Sequence, residues 1–366
     1  MVRNKFLANW SLTAVAIAMT FLIAIGCVVY PQPSFAALPN KSAIKDARVL
    51  LRNALPVDNL IVREIQLKLE GMPRQANLKR WKGLSKDIDS ILSNVSQKRE
   101  QILASVIPTA KQSAEENLTS LNNVVISLQE AIATKDRNNI KPLSEKALEY
   151  VGTVESQMVQ AFPFEVPAKY AGLPQLKGRA IVEMETEKGS FTMTLDGFSA
   201  PVNAGQFVDL VQRGFYNGLT FNRADDNFFL QAGDPAGEAD GFVDPATGKV
   251  RTVPLEIRVV NKKDPVYEHT FDELGLVGTL PVLPFSAYGT VAMAHPGSDP
   301  NGGSSQFFLY LFESDLTPAG LNLIDGNYTA FGYVTTGEEV LRKLKLGDKI
   351  LSARVISGLE NLVTSK

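Results

Sequence analysis

Cysteine, histidine and surplus charge are what this chain of 366 residues lacks. With Cys27 alone, no internal disulfide can form. His295 has no other ligand type near it in sequence, and His269 sits in an insertion and carries no motif. No nucleotide-binding loop, metal cluster or hydrolase triad occurs, so neither cofactor nor metal is expected. A net charge of −2 gives no electrostatic footing for nucleic acid. The balance turns more negative once residues 1–36, which hold Arg3 and Lys5 and no acid, are set aside.

What is present falls into four stretches. Arg3 and Lys5 precede an apolar run over residues 12–29, then Pro31 and Pro33. Ser34 and Ala36 supply small residues for a cut after Ala36, which makes residues 1–36 a signal peptide and the protein exported. An uncleaved anchor and lipidation at Cys27, preceded by Ala-Ile-Gly, stay open as alternatives.

Residues 37–162 are predicted to be an all-α helical bundle. Pro56 breaks a first short helix near Leu55, Asp58 is placed to cap the next, and Gly71-Met72-Pro73 should end that one. Trp81, Leu84, Ile88, Ile91, Val95, Ile102 and Val106 fall three or four apart, with Lys98 interrupting and Pro108 ending the series. Two further seams, Ala114 to Ile132 and Ile140 to Ala161, keep the spacing. Such seams suit a zipper for a partner or the core of a bundle. Short joins at Pro108-Thr109 and at residues 135–139 favour the bundle, packed against the rest of the chain.

Residues 163–177, with Pro163, Pro167 and Pro174, read as an extended linker. From 178 to 366 glycine, phenylalanine and valine rise and the apolar period drops towards two. Residues 180–185 and 190–195 read as a hairpin around Lys188-Gly189, and a helix starts at Pro201 and closes at Gly214. Short strands are expected at 219–222, 228–232, 253–257, 289–294, 306–311 and 330–334, with a second helix over 337–344. Many short strands and two helices predict a closed β-barrel capped by two helices.

The chemistry is concentrated in residues 221–234, Phe-Asn-Arg-Ala-Asp-Asp-Asn-Phe-Phe-Leu-Gln-Ala-Gly-Asp, and in Ser304-Ser305-Gln306-Phe307-Phe308-Leu309. One cation, two amides and several phenyl rings suit the grip of a proline and its preceding carbonyl better than hydrolysis. Phe221-Asn222-Arg223 leading to Phe228-Phe229-Leu230-Gln231-Ala232-Gly233-Asp234, then Met293-Ala294-His295, Gly303 to Phe308, and Ile324-Asp325-Gly326-Asn327-Tyr328 with Phe331-Gly332, make residues 189–350 resemble a cyclophilin. Joined to a signal peptide, helical domain and Pro-rich linker, the chain looks like the forty-kilodalton multidomain cyclophilins of the thylakoid lumen in cyanobacteria and plants.

That resemblance implies a peptidyl-prolyl cis-trans isomerase with Arg223 as the catalytic cation. It implies a substrate groove of Phe228, Phe229, Gln231, Ala294, His295, Gln306, Phe308, Ile324 and Tyr328. It further implies proline-containing polypeptides as substrates, photosystem II subunits as clients, and a location in the thylakoid lumen or periplasm. Departures from the family pattern are Asn222 and Tyr328 for histidines and Leu323 for the tryptophan that binds cyclosporin, so weak cyclosporin binding is expected. Asp225 and Asp226 stand where apolar residues are usual and are placed to pair with Arg223. The longer segment 261–284 and Asp299-Pro300 are expected to reshape the groove's rim. The competing reading is a silent assembly chaperone whose proline groove the helical domain covers.

Overall fold

The structure, a computed structural model, describes residues 43–159, 161–225, 228–276, 278–312 and 322–364. The signal peptide, Cys27 and Asp226 lie outside them. Among the described residues no helix is long and apolar enough to cross a membrane.

The helical region comprises α1 (Ala47–Ala54), α2 (Leu60–Asn77), α3 (Trp81–Gln97), α4 (Arg99–Ala104), α5 (Lys111–Ala133) and α6 (Arg137–Ser156). The seam residues of α2 to α6, from Ile65 and Leu69 through Leu84 and Leu128 to Val154, share one buried core. Two local expectations are corrected. Asn59, not Asp58, caps α2, its Oδ1 accepting from the N–H groups of Ile61 and Val62 at 3.1 Å each. Nor does α2 stop at Pro73: it continues to Asn77. Met72 and Ala76 are buried on its apolar face, and that burial outweighs the main-chain hydrogen bond lost at the proline.

The second region contains β1 (Gln175–Leu176), β2 (Arg179–Thr186), β3 (Gly189–Asp196), α7 (Pro201–Gln212), β4 (Phe221–Asp225) and β5 (Phe229–Ala232). There follow β6 (Val243–Asp244), β7 (Lys249–Val250), β8 (Glu256–Arg258), β9 (Pro265–Tyr267), β10 (Thr290–Met293), β11 (Phe307–Tyr310), β12 (Ala330–Thr336), α8 (Glu338–Leu341), β13 (Ile350–Ser357) and β14 (Leu362–Val363). Eight strands form one antiparallel sheet in the order β13-β2-β3-β12-β10-β11-β5-β4.

The sheet curls but does not close into the expected barrel. Its edge strands β4 and β13 meet at an isolated bridge, Thr220 to Lys349, beside main-chain bonds such as Ile350 N–H to Leu219 O at 2.9 Å. The ladder cannot lengthen, because the turn at 213–218 lies at one end and the turn at 345–348 at the other. That second turn also cuts the expected helix at 337–344 down to the four residues of α8. The segment expected as a strand at 253–257 forms only β8 and a bridge from Val253 to Gly303.

Alternation along the strands gives the sheet two apolar faces. Leu230, Ala232, Phe307, Leu309, Val291 and Met293 enter the inner core beneath α7. The amino end of α7 has no side-chain cap of its own. The buried Glu256 supplies one, accepting from the N–H groups of Val202 and Asn203 at 3.0 Å each. Burial nonetheless pushes its carboxyl up to about 7.

The outer face carries Ala292, Phe308, Tyr310, Ala330 and Tyr333, and here α1 docks. Ala47, Leu50, Leu51 and Ala54 belong to the same cluster as these sheet residues. Arg258 Nη1 donates to Ala54 O at 3.2 Å, Arg48 Nη2 donates to Thr335 O at 2.8 Å, and Arg179 Nη2 donates to Leu51 O. Toward the bundle, Arg63 donates to the carbonyls of Arg52 and Leu55 and to Glu155 Oε1 at 3.1 Å. The first helix therefore ties the bundle to the β region, rather than packing with the bundle alone.

Candidate functional site

β4, β5, β11 and β10 bring Arg223, Gln231, Phe308 and Ala292 into one row through their register. Because Leu230 and Phe307 turn inward, Gln231 and Phe308 must turn outward. A cavity of about 470 Å³ opens over this row. Its lining contains Arg223, Phe228, Phe229, Gln231 and Phe308 from the row and its neighbours, and Ala294, His295, Gln306, Ile324 and Tyr328 from the strand ends and loops. All ten residues singled out in the sequence thus meet at one hollow.

The aromatic wall is built ring on ring. Phe308 is 7% exposed and packs edge-on against Tyr328 at 5.3 Å between centroids and against Phe229 at 6.3 Å. Phe285 stacks parallel behind it at 6.0 Å, backed in turn by the α1 cluster. Phe228, 37% exposed, sits at the rim against Phe312 and Tyr310. Arg223 lies with its Cζ 5.1 Å from the centre of the Phe229 ring. Among the described residues its guanidinium makes no hydrogen bond or ion pair. Asp225 is two residues along the same strand and does not pair with it, while Asp226, the other carboxylate expected to do so, lies outside the described residues.

The opposite wall is held by loops. His295 stacks on Tyr328 at 4.4 Å, and its two ring nitrogens face Pro296 O at 2.9 Å and Asn327 O at 3.0 Å. Ala294 N–H donates to Gln306 O at 3.0 Å. The loop carrying Ile324 and Tyr328 is pinned by Asp325, which accepts from Phe285 N–H at 2.8 Å and Asn322 N–H at 3.3 Å. Burial raises that carboxyl to about 6 despite both bonds. Gly326 follows at φ +86°, where a Cβ would stand 2.5 Å from the Phe271 ring.

Part of the lining was not legible beforehand. Asp240, Gly241, Val250, Pro296, Gly297 and Gly302 complete the lining beside Ser304. Apart from Val250 in the two-residue β7 they sit in loops without periodicity, and the crowding of Gly241 by Ser304, 2.5 Å from a would-be Cβ, is visible only in three dimensions. None of the described residues of 261–284, the segment expected to reshape the rim, lines the cavity itself. Phe271 packs on Leu255, Ile257 and Val259 in a separate small cluster and donates its N–H to Gly326 O at 3.0 Å, so the segment reaches the rim only by bracing the loop that carries Ile324 and Tyr328. No described residue of the helical region lines the cavity either, so the helices do not cover it. Their contribution is the support of α1 behind Phe285 and Phe308.

A concave apolar site with a guanidinium that no other described residue pairs and a few amides can hold a peptide and place a cation at its backbone. Comparison with known proteins agrees with that chemistry. Residues 181–358 match the family described as cyclophilin type peptidyl-prolyl cis-trans isomerase. Residues 46–159 match the PsbQ-like domain of CYP38-like peptidyl-prolyl cis-trans isomerases. A thylakoid lumen peptidyl-prolyl cis-trans isomerase of Synechocystis sp. is 45% identical, over 99% of this chain and 96% of its own length. The chloroplastic peptidyl-prolyl cis-trans isomerase CYP38 of Arabidopsis thaliana is 40% identical, over 94% of this chain and 85% of its own. The chloroplastic CYP37 of the same plant is 29% identical over 91% and 74%. With its helical and β regions both matched, this chain belongs to the cyclophilin-type peptidyl-prolyl cis-trans isomerases, and within them to the multidomain group that includes the thylakoid lumen enzyme.

Proposed function

We propose that the chain isomerises Xaa-Pro bonds of proteins in the thylakoid lumen, with Arg223 as the catalytic cation and the aromatic cavity as the proline site. An Xaa-Pro bond turns over a barrier of ~18–20 kcal/mol set by amide resonance. Unaided, that takes tens to hundreds of seconds. Acceleration requires only that the twisted amide be bound better than either planar form. In the twisted form the prolyl nitrogen regains a lone pair and the carbonyl loses conjugation. A guanidinium donates to either and stays charged at any physiological pH. The observation that carries the reading is the unpaired Arg223 over the Phe229 ring, beside Phe308 and Gln231 in one cavity.

Supporting roles follow from position. Phe228, Phe229, Phe308 and Ile324 offer the pyrrolidine ring an apolar slot. Gln231 offers an amide to the peptide backbone. The main chain at Ala294 and His295 flanks the residue before proline, with Tyr328 behind it. Photosystem II subunits are proposed as clients on the strength of the resemblance read from the sequence.

A second reading, binding without turnover, is favoured by one observation. Asn222, standing for the family's histidine, has a buried Oδ1 with no hydrogen-bond partner among the described residues. Measured isomerisation of a prolyl peptide by the full chain and by Arg223→Ala separates the two. The isomerase reading expects Arg223→Ala to be slower by about 10²-fold. Equal rates in the two proteins end that reading and leave the binder.

A further inference from the structure

Gln306 lines the cavity, yet its amide has nothing left to offer a peptide. Its Nε2 donates to Asp234 Oδ1 at 3.2 Å and to Asp240 O at 2.9 Å. A carboxylate and a main-chain carbonyl only accept, so the nitrogen end is fixed without ambiguity. The other end must then be oxygen. Oε1 accepts from Gln231 Nε2 at 2.7 Å and from Asn222 Nδ2 at 3.3 Å. Two donors and two lone pairs are all engaged before any ligand arrives.

We propose that Gln306 is a positioning residue, which fixes the amide polarity of Gln231 and does not itself bind the peptide. The inference rests on the isomerase reading of the cavity and deepens it. With its nitrogen held by Gln306, Gln231 keeps its Oε1 and one N–H for the ligand. Arg223 is its direct register partner on the neighbouring strand. The peptide therefore meets a fixed acceptor beside a fixed cationic donor. That pair reads one N–H and one carbonyl of an extended segment.

The anchor of the relay is built into the backbone. Gly233, at φ +100°, turns the chain after β5 so that Asp234 lies under Gln306. A Cβ there would stand 2.2 Å from Ser305 O, so only glycine makes the turn. Asn222 donates to the same oxygen as Gln231 and adds a second hold on Gln306.

The test uses the full chain with ¹⁵N-labelled glutamine and a short Ala-Pro peptide. The side-chain N–H signals of Gln306 are expected to stay in place on saturation with peptide, while those of Gln231 move. In Gln306→Met the Gln231 signals should shift to solvent-exposed positions without peptide. In that variant kcat should fall about ten- to a hundredfold with KM nearly unchanged. Gln306→Glu keeps the acceptor but faces Asp234 and Asp240 with no proton to donate. Arg223, across the strand pair, is the nearby cation. Its activity should be lowest at alkaline pH and recover as pH falls towards about 5 and the new carboxyl gains a proton. Gln306 signals that move with peptide as far as those of Gln231, or a flat pH profile for an active Gln306→Glu, overturn the proposal. A wild-type chain that binds peptide without isomerising it removes the isomerase reading. The peptide-induced shifts still decide the role of Gln306.

Discussion

Asp325 holds the loop that forms one wall of the cavity, and replacing it by Asn gives a worked pH dependence. The carboxyl is buried, and its folded value of about 6 stands above the ordinary 3.8. The gap corresponds to about 3 kcal/mol between its two protonation states. A carboxyl raised on folding binds its proton more tightly in the native chain. Its contribution to stability is therefore greatest below pH 3.8, falls as pH rises from there to about 6, and stays at its lowest above. Asn keeps the size and never ionises. It has one acceptor oxygen for the two N–H groups of Phe285 and Asn322, so it gives up one hydrogen bond, about 1 kcal/mol. That loss is the same at every pH. The buried Glu155 and Glu256, each pushed up to about 7 by burial, titrate alike in both proteins and cancel in the comparison. The stability of Asp325→Asn relative to wild type should thus rise by up to about 3 kcal/mol between pH 4 and pH 8. Thermal unfolding followed by circular dichroism at pH 4, 5, 6, 7 and 8 measures it, with a change of several degrees expected. A difference in Tm that does not vary with pH would show that the carboxyl titrates normally and refute the reasoning.

Other expectations follow from the same contacts. Arg223→Lys should retain only part of the isomerase rate, because a point charge replaces a planar fork; stopped-flow turnover of a prolyl peptide measures this, and full activity would count against a directed guanidinium. Leu323, next to the lining residue Ile324, is 89% exposed and offers no indole, so cyclosporin should bind more weakly than micromolar by calorimetry, and sub-micromolar binding would contradict the assignment of that position. Leu50→Ala should destabilise the protein by about 2–5 kcal/mol through the cavity it leaves between α1 and the sheet; a negligible change in urea unfolding would mean that α1 is not docked in solution.

Several features were legible because they are local. The hairpin of β2 and β3 was fixed by two alternating runs either side of Lys188-Gly189, and the α7 helix by Pro201 at its start and Gly214 after its end. The helical seams were visible because burial on a helix repeats every three or four residues, and one face of each helix is buried. Strand β13 was missed: Ile350 and Ala353 are buried, but a register shift between Ile350 and Ser352 breaks the alternation that would mark it. The candidate lining residues were legible because each lies in a short contiguous stretch, around Arg223, Ala294, Gln306 or Ile324.

The sequence alone offered ten candidate residues and the chemistry they suit, and all ten line one cavity. Tertiary structure decided what each is free to do. Gln231 and Gln306 are the same amide in composition, yet among the described residues one has an N–H and its oxygen to spare and the other has neither. Asp225 lies two residues from Arg223 in the chain but does not pair with it, while the distant α1 supports the wall behind Phe308. The reason is that hydrogen bonds and contacts are exhausted by whatever folding brings near. Which partners those are depends on register, turns and packing between segments far apart in the chain.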